Sequence, residues 1–138
     1  MAVITDYISV TTKGGRDVID LTADVQKILG KHGIESGIVV VFAPGSTAGI
    51  TTIEFEPGLQ ADMDEFLERI LPYGAPYRHH NTWHDDNGAA HLQAAMIGPS
   101  LTVPVISGSL ALGTWQQIVL IDCDTRSRNR RLVVQMLF

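Results

Sequence analysis

Cysteine is almost missing from this chain: Cys123 is the only one. A single thiol excludes an internal disulfide and a cysteine-based zinc site, and it fits a reducing, cytoplasmic location. Without a histidine beside it in sequence, Cys123 reads as a buried apolar residue rather than a nucleophile. Positive charge is also scarce. Ten Lys and Arg stand against fifteen Asp and Glu, a net charge of −5. Non-specific nucleic-acid binding needs a basic face, so no nucleic-acid partner is expected. No apolar run approaches the roughly 18–20 residues of a membrane span, and the first six residues lack the basic and apolar parts of a signal peptide, so no membrane partner is expected. Glycine is frequent, at 13 residues. Yet neither G-x-x-x-x-G-K-[ST] nor G-x-G-x-x-G occurs, and no nucleotide cofactor is expected.

What remains is a 138-residue chain, 45% apolar and 18% charged. That is the size and balance of one globular domain with a real core. Residues 4–12 read as a strand followed by a Gly14-Gly15 turn, and 16–20 as a second short strand. Thr22 is the expected N-cap of a helix over 23–32, with Val25, Ile28 and Leu29 as its apolar stripe and Gly33 as its stop. His32, in the last turn, is read as a partner of the helix dipole. Residues 37–42 are apolar on both faces, which predicts a strand covered on both sides.

After the Pro44-Gly45-Ser46 turn, 47–56 reads as a return strand. Its parity puts Ala48, Ile50, Thr52, Glu54 and Glu56 on one face. That face is either a ligand wall with Glu54 pointing into it or a solvated sheet face. A helix over 59–71 follows, with Leu59, Met63, Phe66, Leu67, Ile70 and Leu71 on one stripe and Pro72 as its stop. Residues 76–87 have no apolar period and read as a loop. A short helix follows over 91–97.

Strands are expected at 101–106, 110–112, 115–122 and 130–138. In the last of these Arg130 shares a face with Leu132, Val134, Met136 and Phe138. An arginine at the end of an apolar face is either an anion binder or a rim residue reaching for water. Trp115 either stacks on a heteroaromatic ring or fills an interface, with packing the favoured reading. The order β β α β β α, loop, α β β β β describes an α+β fold with a mixed sheet and three helices, one of them short.

The chemistry concentrates in 77–91, Tyr-Arg-His-His-Asn-Thr-Trp-His-Asp-Asp-Asn-Gly-Ala-Ala-His. His79, His80, His84 and His91 lie here with Asp85, Asp86 and Asn87 between them. Imidazole and carboxylate together suit a divalent metal or proton transfer near neutral pH. A long polar loop in a compact chain is usually functional or disordered, and the flanking Tyr77 and Trp83 argue against disorder. Ser46 and Thr47 either bind phosphate through hydroxyls and backbone N–H groups or simply form a turn.

Several segments in order carry a resemblance. They are Phe42-Ala-Pro-Gly-Ser-Thr-Ala48, Glu54-Phe-Glu-Pro57, Tyr77-Arg-His79, Asp85-Asp-Asn87 with His91, Gly98-Pro-Ser-Leu-Thr-Val-Pro104, Leu112-Gly-Thr-Trp-Gln116 and the basic end at 126–131 before Leu132-Val-Val-Gln135. Together they resemble the YjbQ-like family, also called the secondary thiamine-phosphate synthase family, over almost the whole chain. The resemblance implies a strongly curved sheet, a homotrimer with sites near subunit boundaries, and a weak thiamine-phosphate synthase activity. It also associates a metal with the histidine-bearing region. Many members have a histidine near position 45, where this chain has Gly45-Ser46-Thr47. Many also have Asp-x-Pro-Arg where it has Asp124-Thr-Arg-Ser127. The first departure removes a site imidazole, and the second leaves open which arginine binds an anion.

The resemblance narrows the polar stretch to His79, Asp85, Asn87 and His91 as catalytic residues, and makes His80, His84 and Asp86 bystanders. Ser46, Thr47, Gln116 and Arg130 are the expected substrate binders. His79 and His91, with a carboxylate from Glu54 or Asp85, are the expected metal ligands. Paired histidines prefer zinc or a similar metal, whereas a diphosphate substrate would bring Mg²⁺ and oxygen ligands. Three functions stay open: a transferase joining a thiazole phosphate to a pyrimidine methyl diphosphate, a metal-dependent hydrolase of a small phosphorylated or amide substrate, and a non-enzymatic trimeric anion-binding protein. The expected partners are a small phosphorylated molecule and further copies of the chain in a homotrimer.

Overall fold

The computed structural model describes residues 1–138. In chain order its elements are β1 (Val3–Thr11), β2 (Asp17–Asp20), α1 (Thr22–His32), β3 (Ser36–Phe42), β4 (Ala48–Ile53), α2 (Pro57–Ile70), α3 (Arg78–Trp83), α4 (Gly88–Ile97), β5 (Ser100–Ile106), β6 (Ser109–Leu110), β7 (Gln117–Asp122) and β8 (Asn129–Leu137). The strands form a five-stranded sheet, β1-β8-β3-β5-β6, and a three-stranded sheet, β2-β7-β4. The α+β class is as expected. The sheet is strongly curled, and every pairing in it is antiparallel rather than mixed.

Burial follows from the layering. The main core lies between the two sheets and α1. Ile8, Val39, Val41, Val103, Val105, Leu132, Val134 and Met136 face it from the larger sheet, and Ala48, Ile50, Ile118 and Leu120 from the smaller. The other face of the smaller sheet buries Val119, Ile121 and Cys123 against Ala90 of α4, with Met63 of α2 packed on the same cluster. Strand β7 is therefore covered on both faces, the physical reason its sequence is a continuous apolar run. Cys123 is fully buried as expected, and that burial pushes its thiol up to about 12.

Gly33 ends α1 in the left-handed conformation, as its position predicted. The start of the helix differs. Thr22 lies inside it and Leu21 takes the cap position. The Asp20 carboxylate accepts from the Thr22 N–H at 2.9 Å, while the Thr22 hydroxyl accepts from Ile118 N–H at 2.9 Å. Thr22 thus ties the helix to β7 instead of capping it. His32 is more than a dipole partner: its Nε2 lies 2.8 Å from Asp6, which also accepts from Lys31.

Strand β4 and helix α2 depart most from expectation. The strand stops at Ile53, and Glu56 caps α2, accepting from Gly58 N–H at 2.9 Å and from Leu59 N–H. Pro57 supplies the first helical position, where a missing N–H costs nothing. Ala48 and Ile50 are core residues, and of the expected wall face only Ala48 lines a cavity next to the histidines. On the opposite face Gly49 gives α4 its close approach, since a Cβ there would lie 2.5 Å from Ile97 Cγ2. Of the α2 stripe only Leu67 is fully buried, and Phe66 and Ile70 stay exposed.

Candidate functional site

The expected loop at 76–87 contains helix α3, joined to α4 by a short turn that His84 opens in the left-handed conformation. His80 holds the two helices together. Its Nε2 accepts the Gly88 N–H at 2.9 Å, one of the free donors at the start of α4. A Cβ on Gly88 would fall 2.6 Å from Tyr77 Cβ and 2.9 Å from His80 Nε2, so only glycine fits there. Asp86 ties the same turn to the segment after β7, accepting from the Thr125 hydroxyl at 3.0 Å. His80 and Asp86 thus make structural contacts, while the His84 side chain is exposed.

This clamp brings His79 of α3 against His91 of α4, with ring centroids 4.4 Å apart and planes inclined at 61°. Asp85 reaches His79 Nε2 at 3.5 Å, within ion-pair range but long for a hydrogen bond. With its nitrogen toward that carboxylate, the Asn87 amide donates to both oxygens at 3.1 and 3.2 Å. The four expected catalytic residues therefore stand together. Desolvation holds the His91 pKa below its ordinary value and His79 adds to the effect, while Asp85 and Asp124 pull the other way. His91 is accordingly biased toward the neutral ring that acts as a base or ligand.

His91 separates two cavities. The larger, of about 610 Å³, is lined by Tyr77, Arg78, His79, Gly88, His91 and Leu92, with Pro76 at its edge. The smaller, of about 210 Å³, lies between His91 and the Gly45-Ser46 turn, with Ala94, Ala95 and Pro99 completing it. Ser46 is thus brought to the site as expected. A groove of about 400 Å³ between β1 and α1 is set apart from the histidines, and Lys31 and Asp6 on its walls already pair.

Thr47 and Arg130 are drawn into a buried polar network next to the Gly45-Ser46 turn, whereas Gln116 and Glu54 lie away from the histidine cavities. Thr47 is buried, its hydroxyl donating to Asp124 at 2.9 Å and accepting from Arg130 Nη2 at 2.8 Å. Arg130 grips Asp122 through Nε at 3.0 Å and Nη2 at 2.9 Å, and that carboxylate also accepts from the Thr12 hydroxyl at 2.6 Å. Asp124 accepts from Arg128 as well. Burial would raise the Asp124 pKa, but the Thr47 hydroxyl, the Thr125 N–H and Arg128 outweigh it and hold the group below its usual range. Thr47 and Arg130 therefore belong to a buried polar network in which each arginine has its own carboxylate. The sign that marks this network in the sequence is Asp122-Cys-Asp124 at the end of an apolar strand, because buried acids demand partners.

Gln116 lines a separate cavity with Asp20, Gln26 and Leu110, and its amide bonds Gly113 N–H and the Thr52 hydroxyl. Glu54 lies past the end of β4, is exposed, and lines neither histidine cavity. No three His, Cys, Asp or Glu side chains converge on one point in the metal-binding sense. The donors of a single chain are two imidazoles and a carboxylate already engaged by Asn87, which falls short of a self-contained centre. Trp115, expected to pack, is 71% exposed in the single chain. No helix is long and apolar enough to cross a membrane.

The family model described as UPF0047 protein YjbQ-like matches residues 6–138. A UPF0047 protein of Archaeoglobus fulgidus is 40% identical over 121 residues, covering 88% of this chain and 91% of its own. One of Methanothermobacter thermautotrophicus is 40% identical over 136 residues, covering 99% and 93%. Among solved structures, a YbjQ-like protein of unknown function from Sulfolobus solfataricus superposes with a TM-score of 0.91 at 35% identity, over 98% of this chain and 96% of that one. A hypothetical protein from Aeropyrum pernix gives 0.90 at 36% identity, over 97% and 98%. With sequence and fold both matched over nearly the full length, this chain belongs to the YjbQ-like UPF0047 family, whose relatives named here carry no assigned activity.

Proposed function

We propose that this protein is a small-molecule transferase of the thiamine-phosphate synthase kind, with the His79, Asp85, Asn87 and His91 cluster at its centre. The observation that carries this reading is the place of His91, on the wall between a larger and a smaller cavity. A condensation needs two substrates to meet at one point. In the reaction the thiazole ring nitrogen supplies its lone pair to the methylene carbon of the pyrimidine methyl diphosphate. The C–N bond forms as the C–O bond breaks, and the electron pair leaves on the diphosphate oxygen. Asp85, on its Asn87 support, faces His79 Nε2, so in the imidazolium form the Nδ1–H of the same ring is the donor that neutralises charge developing on that oxygen. His91, biased toward its neutral form, adds no charge that would hold the diphosphate in place. The test supplies purified protein with both substrates and follows product, with H91A and H79A alongside. Product from wild type and at least a hundredfold loss in the variants are expected, since general acid–base groups contribute about 10²–10⁴-fold. Wild type that makes no product overturns the reading.

A metal-dependent hydrolase is the second reading. It is favoured by the edge-to-face imidazole pair beside a carboxylate, the donor types of a zinc-like site. A divalent ion there needs a further ligand, from water, substrate or a second subunit. Turnover of phosphoesters or amides that a chelator abolishes supports it, and chelator-insensitive turnover rejects it.

The homotrimer is proposed with the fold. Its support is the outer face of α4, where Leu92 and Met96 are 47% and 53% exposed while the small residues Ala89, Ala90 and Ala94 point inward. Phe66 and Ile70 of α2 and Trp115 add to the exposed apolar surface. Exposed large apolar side chains on these helices are the kind of surface that a second copy of the chain would cover. Sedimentation equilibrium reads the mass of the assembly.

A further inference from the structure

The chain has seven arginines. Arg16, Arg69, Arg126, Arg128 and Arg130 each pair with a carboxylate, and Arg131 stacks over the Tyr7 ring. Arg78 alone has neither a carboxylate nor an aromatic partner. It lines the larger cavity, which His79 and His91 line as well. In an acidic protein, nearly every other guanidinium has been claimed by an acid. A free one in the wall of a histidine cavity is the exception that needs a reason.

Its backbone is also fixed. Arg78 is the first residue of α3, and that end of the helix is clamped to α4 by the Gly88 N–H to His80 bond and by the contact of Gly88 with Tyr77. The side chain is therefore presented from a built wall rather than from a loose loop. Arg130, the arginine the sequence singled out, has Nε and Nη2 committed to Asp122 and Thr47. Arg78 has all five donors available, in the fork that matches phosphate oxygens.

We propose that Arg78 is the anion anchor of the larger cavity, binding the phosphate or diphosphate of the substrate so that the atoms next to it lie against His79 and His91. The assignment rests on the transferase reading for what happens next, but not for the binding itself. The anion could be a monophosphate or a diphosphate. Both share the oxygen triad that a guanidinium fork reads, and the shorter one leaves more of the cavity for the organic part.

The test titrates inorganic phosphate, and separately inorganic diphosphate, into the intact protein in buffer free of divalent ions. The ring signals of His79 and His91 are followed by NMR. Saturable shifts of both rings are expected in wild type, with binding weakened roughly tenfold or more in R78Q, because a charge-assisted hydrogen bond is worth about 1.5–3 kcal/mol. R78K should recover part of the affinity, as a point charge without the fork. R126Q, which alters an equally exposed arginine paired with Asp86, should bind as wild type does. Diphosphate binding tighter than phosphate identifies the diphosphate-bearing substrate as the one held here, and the reverse order identifies the monophosphate. R78Q that binds like wild type, or anions that leave both histidine rings unmoved, overturns the assignment. Anion binding through Arg78 without product would sink the transferase reading and leave this one standing. Product formation indifferent to R78Q would do the opposite.

Discussion

His79 and His91 sit twelve positions apart on different helices, and their rings meet edge to face at 4.4 Å. That contact places the His91 ring where it feels the charge of His79.

The His91 ring should titrate below an ordinary histidine. Desolvation and the His79 charge both disfavour its protonated form. With the folded value lowered, protonation opposes folding. The contribution to stability is complete above the unfolded pKa of about 6.5 and is lost as pH falls through the folded value. NMR titration of the ring checks the direction. D85N should lower the value further, because Asp85 is one of the groups that raises it. An upward shift in D85N would refute the placement of Asp85 beside the pair.

Arg130 and Asp122 should behave as a buried ion pair. Their side chains are 11% and 0% exposed. R130A leaves a buried carboxylate without its cation, and a loss of about 3–5 kcal/mol is expected in urea unfolding. R69A breaks a fully surface-lying pair with Glu65 and should cost no more than about 0.5 kcal/mol. Equal effects from the two variants would mean that Arg130 is not buried against Asp122.

Glu56 and Glu54 should part company. E56A removes the side-chain cap of α2 and should cost about 1 kcal/mol of stability. E54Q touches neither the cap nor the histidine cavities. It should leave stability unchanged to within about 0.5 kcal/mol, and should leave any bound metal in place, as read by elemental analysis. Loss of metal in E54Q would restore Glu54 as a ligand.

Gly88 should tolerate no side chain. Its Cβ would collide with Tyr77 and His80. G88A is expected to cost about 1–3 kcal/mol and to separate α3 from α4. The His91 ring should then lose the part of its lowered pKa that His79 supplies, as read by NMR titration. G74A is the control, because a Cβ there meets nothing within 4 Å.

Local patterns were readable wherever local physics decided the outcome. The Gly33 stop and the inward parity of Leu132, Val134 and Met136 follow from side-chain period and backbone freedom, whereas β3, expected to be covered on both sides, buries Val39 and Val41 but leaves Ile38 and Phe42 exposed in the single chain. The site was readable as a set of residue types, and the four expected catalytic residues do come together. Its remote members were not. Glu54 looked like a wall residue because parity was carried past Ile53, whereas Glu56 and Pro57 had already begun the next helix. Arg130 looked free because its partner, Asp122, lies on a strand of the other sheet.

The sequence by itself therefore determined the α+β class, the inward parity of the last strand and the stretch in which histidines and carboxylates gather. Each of these depends on residue type and spacing within a few turns or strand steps. Only the tertiary structure decided which charges are already spent and which is left over. Pairing is a property of separation in space, and an acid that neutralises an arginine can come from anywhere along the chain. That is why Arg130, on a strand the sequence made conspicuous, is held by Asp122, while Arg78, which the sequence left in a loop, faces the histidine cavity unpaired.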